Sequence, residues 1–284
     1  METMKNEHSI TELAGALEVS ASGYVEYLKK DERPRRREDR ELGEKLTSIF
    51  KQNRNAYGAP RLQMALGKQG IRCGKKRIAR LQQQFGLHPV QKRRFRPRTT
   101  QSDPLLPVAG NELAKVPTPD GPNQIWVADI TYIETREGWL YLAGIMDLYS
   151  RKIVGWNTSE SLSTPLVTKA WEKAWENRRP SPGLLHHSDR GCQYASKEFR
   201  SLLVEHQVAA SMSRRGNCYD NAAMESFWAT LKTECLGPCI PKTRYQAKLM
   251  IFEYIEGFYN RSRLHSALGY KSPLDFEFPL NHKP

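Results

Sequence analysis

The run IWVADITYIET, residues 125–135, places the tightest limit on what this chain can fold into. Ile125, Val127 and Ile133 fall on one parity of a strand, and Trp126, Ala128 and Ile130 on the other, so both faces need cover. Such a strand belongs inside a layered sheet. Two further β-rich runs, GWLYLAGIMDLYS and RKIVGWNTSE, follow after short turns and predict a three-stranded antiparallel meander. A helix over 164–177 comes next. It is followed by a strand ending in LLHHSD, a helix from about residue 196, a short strand VAASMS and a helix over 219–234. The order β-β-β-α-β-α-β-α predicts an α/β fold: a mixed five-stranded sheet flanked by helices.

Asp129 interrupts the first of these strands, where a lone carboxylate has no place unless something compensates its charge. Asp189 ends the fourth strand, at a position from which side chains project into the crevice beyond the sheet. Glu225 sits at the border of the apolar stripe Ala223, Met224, Phe227, Trp228 and Leu231 on the last helix, where a carboxylate is partly desolvated and needs a partner. Three carboxylates converging from two strand ends and a helix make an oxygen-only set, which suits hard divalent ions. Asp147 is the rival ligand. With Arg151 four residues on, it reads better as a turn or ion-pair residue. His186 and His187 raise the thought of zinc, but no Cys or His cluster has ligand spacing, and Cys73, Cys192, Cys218, Cys235 and Cys239 read as reduced thiols.

The first hundred residues are different in kind. Ile10, Leu13 and Leu17, then EVSASGYVEYL, suggest a small helix-turn-helix, and KKDERPRRREDRE reads as a solvated connector into another helix. Residues 51–100 hold 14 Lys and Arg and no Asp or Glu, within a net charge of +13. That points to a polyanion, and predicts nucleic acid as the partner. Pro60 starts a helix that Gly70 ends, and a second helix runs from Lys75 to Gly86. Ile78, Leu81 and Phe85 form its buried stripe, which leaves Lys75, Lys76, Arg77 and Arg80 to face a groove, with Arg61 on the helix before. The strip QKRRFRPRTT, with Lys92, Arg93, Arg94, Arg96 and Arg98, reads as an extended arm along phosphates. The divisions expected are 1–45, an N-terminal helical segment with its connector; 46–98, a basic helix-turn-helix domain; 99–122, a linker; 123–239, the sheet domain; and 240–284, a helix and basic tail.

Three stretches carry a resemblance: PNQIWVADITYI with Asp129, HSDRGCQYAS with Asp189, and SRRGNCYDNAAMESFWATLKTE with Glu225. Together they resemble the D, D-35-E motif of DDE transposases with a retroviral-integrase-like core, and more narrowly the second-reading-frame (orfB) protein of the IS-three family of bacterial insertion sequences. VSASGYVEYL, YGAPRL…GIRCGKKRIARL and YNRSRLHSALGYKSPLDF resemble that family's flanking segments. The resemblance implies an RNase H-like catalytic domain behind small all-α DNA-binding units. It implies two Mg2+ ions (or Mn2+) roughly 4 Å apart and bridged by Asp129, and in-line phosphodiester cleavage followed by 3′-hydroxyl strand transfer. Implied partners are double-stranded DNA, as terminal inverted repeats and target, a homodimer or larger synaptic assembly, and an upstream-frame partner or fusion. The zinc-binding domain of retroviral integrases is missing from the sequence.

Around that centre, His187 orients Asp189 or a water, or is simply a satisfied buried histidine; Asn221 caps its helix or contacts DNA. Lys232, two turns beyond Glu225, reaches a neighbouring phosphate. Tyr259, Asn260, Arg261, Arg263 and His265 are candidate backbone contacts, although Asn260 and His265 equally suit a loop-fixing role. Two rivals stand beside the transposase: a silent end-binding regulator and a plain nuclease of the same fold. No apolar run approaches the roughly 18 residues of a membrane span, and the start of the chain is too polar for a secretory signal, so a bacterial cytoplasmic, nucleoid-associated protein is expected.

Overall fold

The computed structural model describes residues 9–16, 18–29, 34–90, 109–213, 221–237 and 239–278. The predicted meander forms as β1 (Ile125–Thr135), β2 (Gly138–Asp147) and β3 (Ile153–Ser159). Two short strands, β4 (Leu185–Ser188) and β5 (Ala209–Met212), complete a five-stranded sheet in the order β3-β2-β1-β4-β5. β1 runs antiparallel to β2 and parallel to β4, so the sheet is mixed as expected. One face packs on α6 (Thr164–Arg178), α7 (Cys192–Ala195) and α8 (Lys197–Glu205) through Trp126, Ala143, Trp171, Phe199 and Leu203. Helix α6 lies so close to β3 that a Cβ at Gly155 would meet the carbonyl of Ala170.

The other face is covered by α9 (Ala222–Leu231) and α10 (Arg244–Phe252). Both helices end in wider turns of π type, Lys232–Leu236 after α9 and Glu253–Tyr259 after α10. Ile251, Tyr254, Ile255 and Phe258 are buried in the same cluster as Val127, Met224 and Trp228. The segment beyond residue 240, expected as a helix and tail, therefore supplies a wall of the core.

Upstream lie α1 (Ile10–Ala16), α2 (Ala21–Lys29), α3 (Pro34–Gln52), α4 (Ala59–Lys68) and α5 (Lys75–Gln84). Helices α4 and α5 stop where the glycines predict, with Gly70 at φ 77° and Gly86 at φ 64°. The connector reading needs correction. Its second half, PRRREDRE, is the opening of α3, a helix of 19 residues that runs through the expected 45/46 division. Leu42, Leu46, Ile49 and Phe50 of α3 pack on Leu62, Leu66, Ile78 and Leu81, so the three helices share one core. Mixed charges look like a solvated linker in sequence, yet Glu38 and Asp39 face Arg77 and Arg80 of α5 across the bundle.

Candidate active site

Asp129 is the fifth residue of β1 and shares a parity with Ile125 and Val127, so it faces α9. The indole N–H of Trp228 donates to its Oδ2 at 3.0 Å, and the amide of Ile130 also donates to the carboxylate. Even so, its pKa is pushed up to about 8, first by burial, then by the charge of Asp189, and more weakly by that of Glu225. β4 supplies the second carboxylate. It pairs with β1 as Ile125↔Leu185 through Val127↔His187, and Asp189 follows just beyond its end, near enough for its charge to act on Asp129. The Oδ1 of Asp189 accepts from the amide of Gly191 at 2.9 Å.

Glu225 lies in the first turn of α9 and is exposed, not half-buried as its helical angle suggested. Asp189 and Glu225 thus act on Asp129 electrostatically without closing into a cage: among the described residues, no three His, Cys, Asp or Glu side chains sit close enough to hold an ion. Their chemistry nevertheless fits a divalent cation. A buried carboxylate facing two others is a set of hard oxygen donors short of positive charge, which a hard cation would supply. Lys232, half-buried at the end of α9, feels the same field: burial lowers its pKa and the charge of Asp129 raises it.

His187 is fully buried between β1 and β5. Its Nδ1 meets the Oγ of Ser211 at 2.9 Å, while that oxygen accepts from the amides of Glu112 and Leu113. The ring thereby links the segment before β1 to the sheet. His186 points to the opposite face, among Trp171 and Phe199, with ring centroids 5.3 Å away in each case, and burial pushes its pKa down to about 3. The two histidines therefore cannot share a metal.

Asn221 precedes α9 without capping it through its side chain. Its Nδ2 instead donates to the carbonyl of Ala128 at 3.3 Å, and its buried Oδ1 has no hydrogen-bond partner among the described residues. Asp147 is structural: wholly buried, it accepts from the amides of Asn123 and Tyr149 and lies 3.6 Å from Arg178, which replaces the expected Arg151 as its ion partner.

The predicted DNA contacts divide. Lys75, Lys76 and Arg261 are exposed. Arg77 and Arg80 are partly engaged, Arg77 with Glu38 at 3.2 Å and Asp39 at 2.7 Å, and Arg80 with Asp39. Arg61 is half-buried and donates to the carbonyl of Leu264 at 2.9 Å. Arg263 is buried and forms a two-pronged ion pair with Glu234, both bonds at 2.7 Å, which removes it from any DNA-facing set. Tyr259 and Asn260 are buried as well, and burial beside Arg263 pushes the pKa of His265 down to about 3. Lys92, Arg93, Arg94, Arg96 and Arg98 lie outside the described residues. Two participants escaped the sequence reading. Trp228 was legible only as part of an apolar stripe, and Gly144, the register partner of Asp129, carried no signal.

Three family models match the chain: an HTH-like domain over residues 36–95 and integrase core domains over 119–218 and 206–273. The 31 kDa protein of insertion element IS600 from Shigella sonnei is 46% identical over 258 residues, 91% of this chain and 94% of that protein. Transposase InsF for insertion sequence IS3A of Escherichia coli K12 is 37% identical over 280 residues, 98% of this chain and 96% of InsF. Among solved structures, a chain of the simian T-cell lymphotropic virus intasome aligns at TM-score 0.49 and 15% identity, covering 78% of this chain and 72% of its own. With an HTH-like domain ahead of an integrase core and a nearly end-to-end match to InsF at 37% identity, the chain belongs to the IS3 family of insertion-sequence transposases.

Proposed function

We propose that this chain binds the ends of its own insertion sequence, cleaves there, and joins the liberated 3′-hydroxyl to target DNA, with Asp129, Asp189 and Glu225 as its D, D-35-E set. The observation that carries the reading is electrostatic: a strand-borne carboxylate whose pKa rises to about 8 partly because two more carboxylates, one from a neighbouring strand end and one from a helix, act on it. Structural aspartates are instead paired, as Asp147 is with Arg178.

Asp129, Asp189 and Glu225 would hold Mg2+ or Mn2+, two ions in the full reading, which polarises the phosphodiester and lowers the pKa of the attacking hydroxyl. The remaining roles belong to the chain itself. Lys232 offers a cation beside Asp129 for a flanking phosphate. Lys75 and Lys76 contact DNA from the exposed start of α5, with Arg77 and Arg80 oriented by Glu38 and Asp39. Lys92 to Arg98 follow the backbone, and Arg261 adds an outer contact. Two ends must meet for joining, so the working assembly holds at least two copies with two terminal repeats and a target duplex.

A strand-transfer assay with pre-cut ends and Mg2+ tests this. Wild type is expected to give joined products, whereas Glu225→Gln, which keeps shape and loses charge, binds ends and gives neither cuts nor joints. Nicking without joining would make the chain a nuclease, and binding alone a regulator. Near-normal joining by Glu225→Gln would remove Glu225 from the site.

A further inference from the structure

Trp228 stands one turn beyond Glu225 on α9 and is 6% exposed, its ring packed against Phe227 at 4.8 Å between centroids. Filling that space needs only an aromatic ring. The structure goes further and aims the indole N–H at Asp129 Oδ2, 3.0 Å away. This fold does not require every buried indole to find an acceptor, since the N–H groups of Trp126 and Trp171 have none among the described residues. The acceptor that Trp228 has found is the carboxylate on which the site centres.

The opposing strand is shaped to permit the contact. Gly144 pairs with Asp129 across β1 and β2, and the Trp228 ring lies directly over it. A Cβ at Gly144 would stand 2.7 Å from Cη2 and 3.2 Å from Cζ2 of the indole, and 3.3 Å from Cε of Met224. Any side chain there would push the ring away from the carboxylate. The torsion that swings a carboxylate about its stem is otherwise broad. Anchored through one oxygen, it presents the other in a fixed direction.

We infer that Trp228 is a positioning residue of the carboxylate site: its N–H fixes Asp129 and, through the same helix, sets the distance between Asp129 and Glu225. The inference rests on the reading of these carboxylates as the metal-holding set. It treats α9 as a single rigid arm carrying a ligand at Glu225 and a clamp on the other ligand at Trp228, with Gly144 as the seat of that clamp. Hydrogen-bond donors to ligating groups hold metal affinity to this extent in general: removing one lowers it by about 10–100-fold.

The test uses the full chain and Mn2+ alone, followed by calorimetry. Trp228→Phe keeps the ring and deletes the donor; Gly144→Ala keeps the donor and displaces the ring. Both are expected to bind end DNA normally while losing about 10-fold or more in Mn2+ affinity, with joining partly restored by excess metal. Trp228→Phe is expected to melt nearer wild type than Gly144→Ala, whose added Cβ displaces a buried ring. Asp129→Asn serves as the control and should bind Mn2+ poorly. Should Asp129→Asn bind Mn2+ as wild type does, the carboxylate reading itself falls. If it loses the ion and Trp228→Phe does not, the positioning role alone is overturned. A third measurement needs no variant: in 15N-labelled wild type, one of the six indole N–H signals should shift on adding Mg2+. A spectrum in which none moves overturns the inference even if the variants misfold.

Discussion

Arg263 shows how much a single residue's role depends on a partner far away in sequence. Its guanidinium meets both oxygens of Glu234 at 2.7 Å, and the Tyr254 hydroxyl donates to the same carboxylate at 2.8 Å. The pair is almost dry, with side-chain exposures of 6% and 8%. Removing one member of such a pair leaves an uncompensated buried charge and costs about 3–5 kcal/mol. Arg263→Ala is therefore expected to melt well below wild type while the salt slope of DNA binding, normalised to folded protein, stays the same. Unchanged melting with a shallower salt slope would return Arg263 to the DNA-facing set. In sequence, Arg261 and Arg263 are equivalent members of a basic tail. What separates them is Glu234, 29 residues upstream, which no local pattern reveals. Asp129 was legible for the converse reason, because a carboxylate in a doubly apolar strand is anomalous without reference to any partner.

Among the secondary elements, β3 is one of the two edge strands of the sheet, and an edge needs its backbone groups satisfied by something other than a strand. Asn260 does this at Ile153. Its Oδ1 accepts from the Ile153 amide at 2.9 Å and its Nδ2 donates to the Ile153 carbonyl at 3.0 Å, so the side chain substitutes for a residue of a sixth strand. The contact stands where β3 starts and where its pairing with β2 is irregular, between Ile145 and Met146. Asn260→Ala would strand both groups of a residue that is 3% exposed, at about 1–3 kcal/mol for each. Urea denaturation should show a loss of about 2–6 kcal/mol. An unchanged midpoint in Asn260→Ala would show that water serves equally well. The strands and helices themselves were largely legible, since period 2 and period 3.6 are properties of single segments. The opening of α3 was not, because Glu38 and Asp39 look like linker charges until α5 is set beside them.

Taken whole, the molecule joins its helical unit to its sheet domain through the segment that follows α10. Tyr57 accepts from the Leu264 amide at 2.9 Å and donates to the Ser262 carbonyl at 3.3 Å, while Arg61 donates to the Leu264 carbonyl. Arg54 pairs with Glu253 at 2.6 Å and Lys68 with Asp275 at 3.2 Å. One apolar cluster runs without a break from Leu46 and Leu62 through Tyr254 and Phe258 to Val127 and Trp228. The exposed lysines of α5 are thus held in a fixed relation to the carboxylates, which matters if the DNA end gripped by one is the DNA cut by the other. Tyr57→Phe removes the hydroxyl at the centre of this joint and leaves the buried Leu264 amide without its acceptor, at a cost of about 1–3 kcal/mol, while the ring keeps its place in the shared core. The expected result is end binding within about twofold of wild type, because that change leaves the basic face untouched, together with a clear fall in the fraction of bound ends that become joined. Gel shift and strand transfer on the same labelled end would measure the two quantities side by side. Loss of binding and joining in equal proportion would mean that the helical unit itself had been damaged. Full joining would mean that the grip on DNA, and not the joint, sets where the carboxylates act.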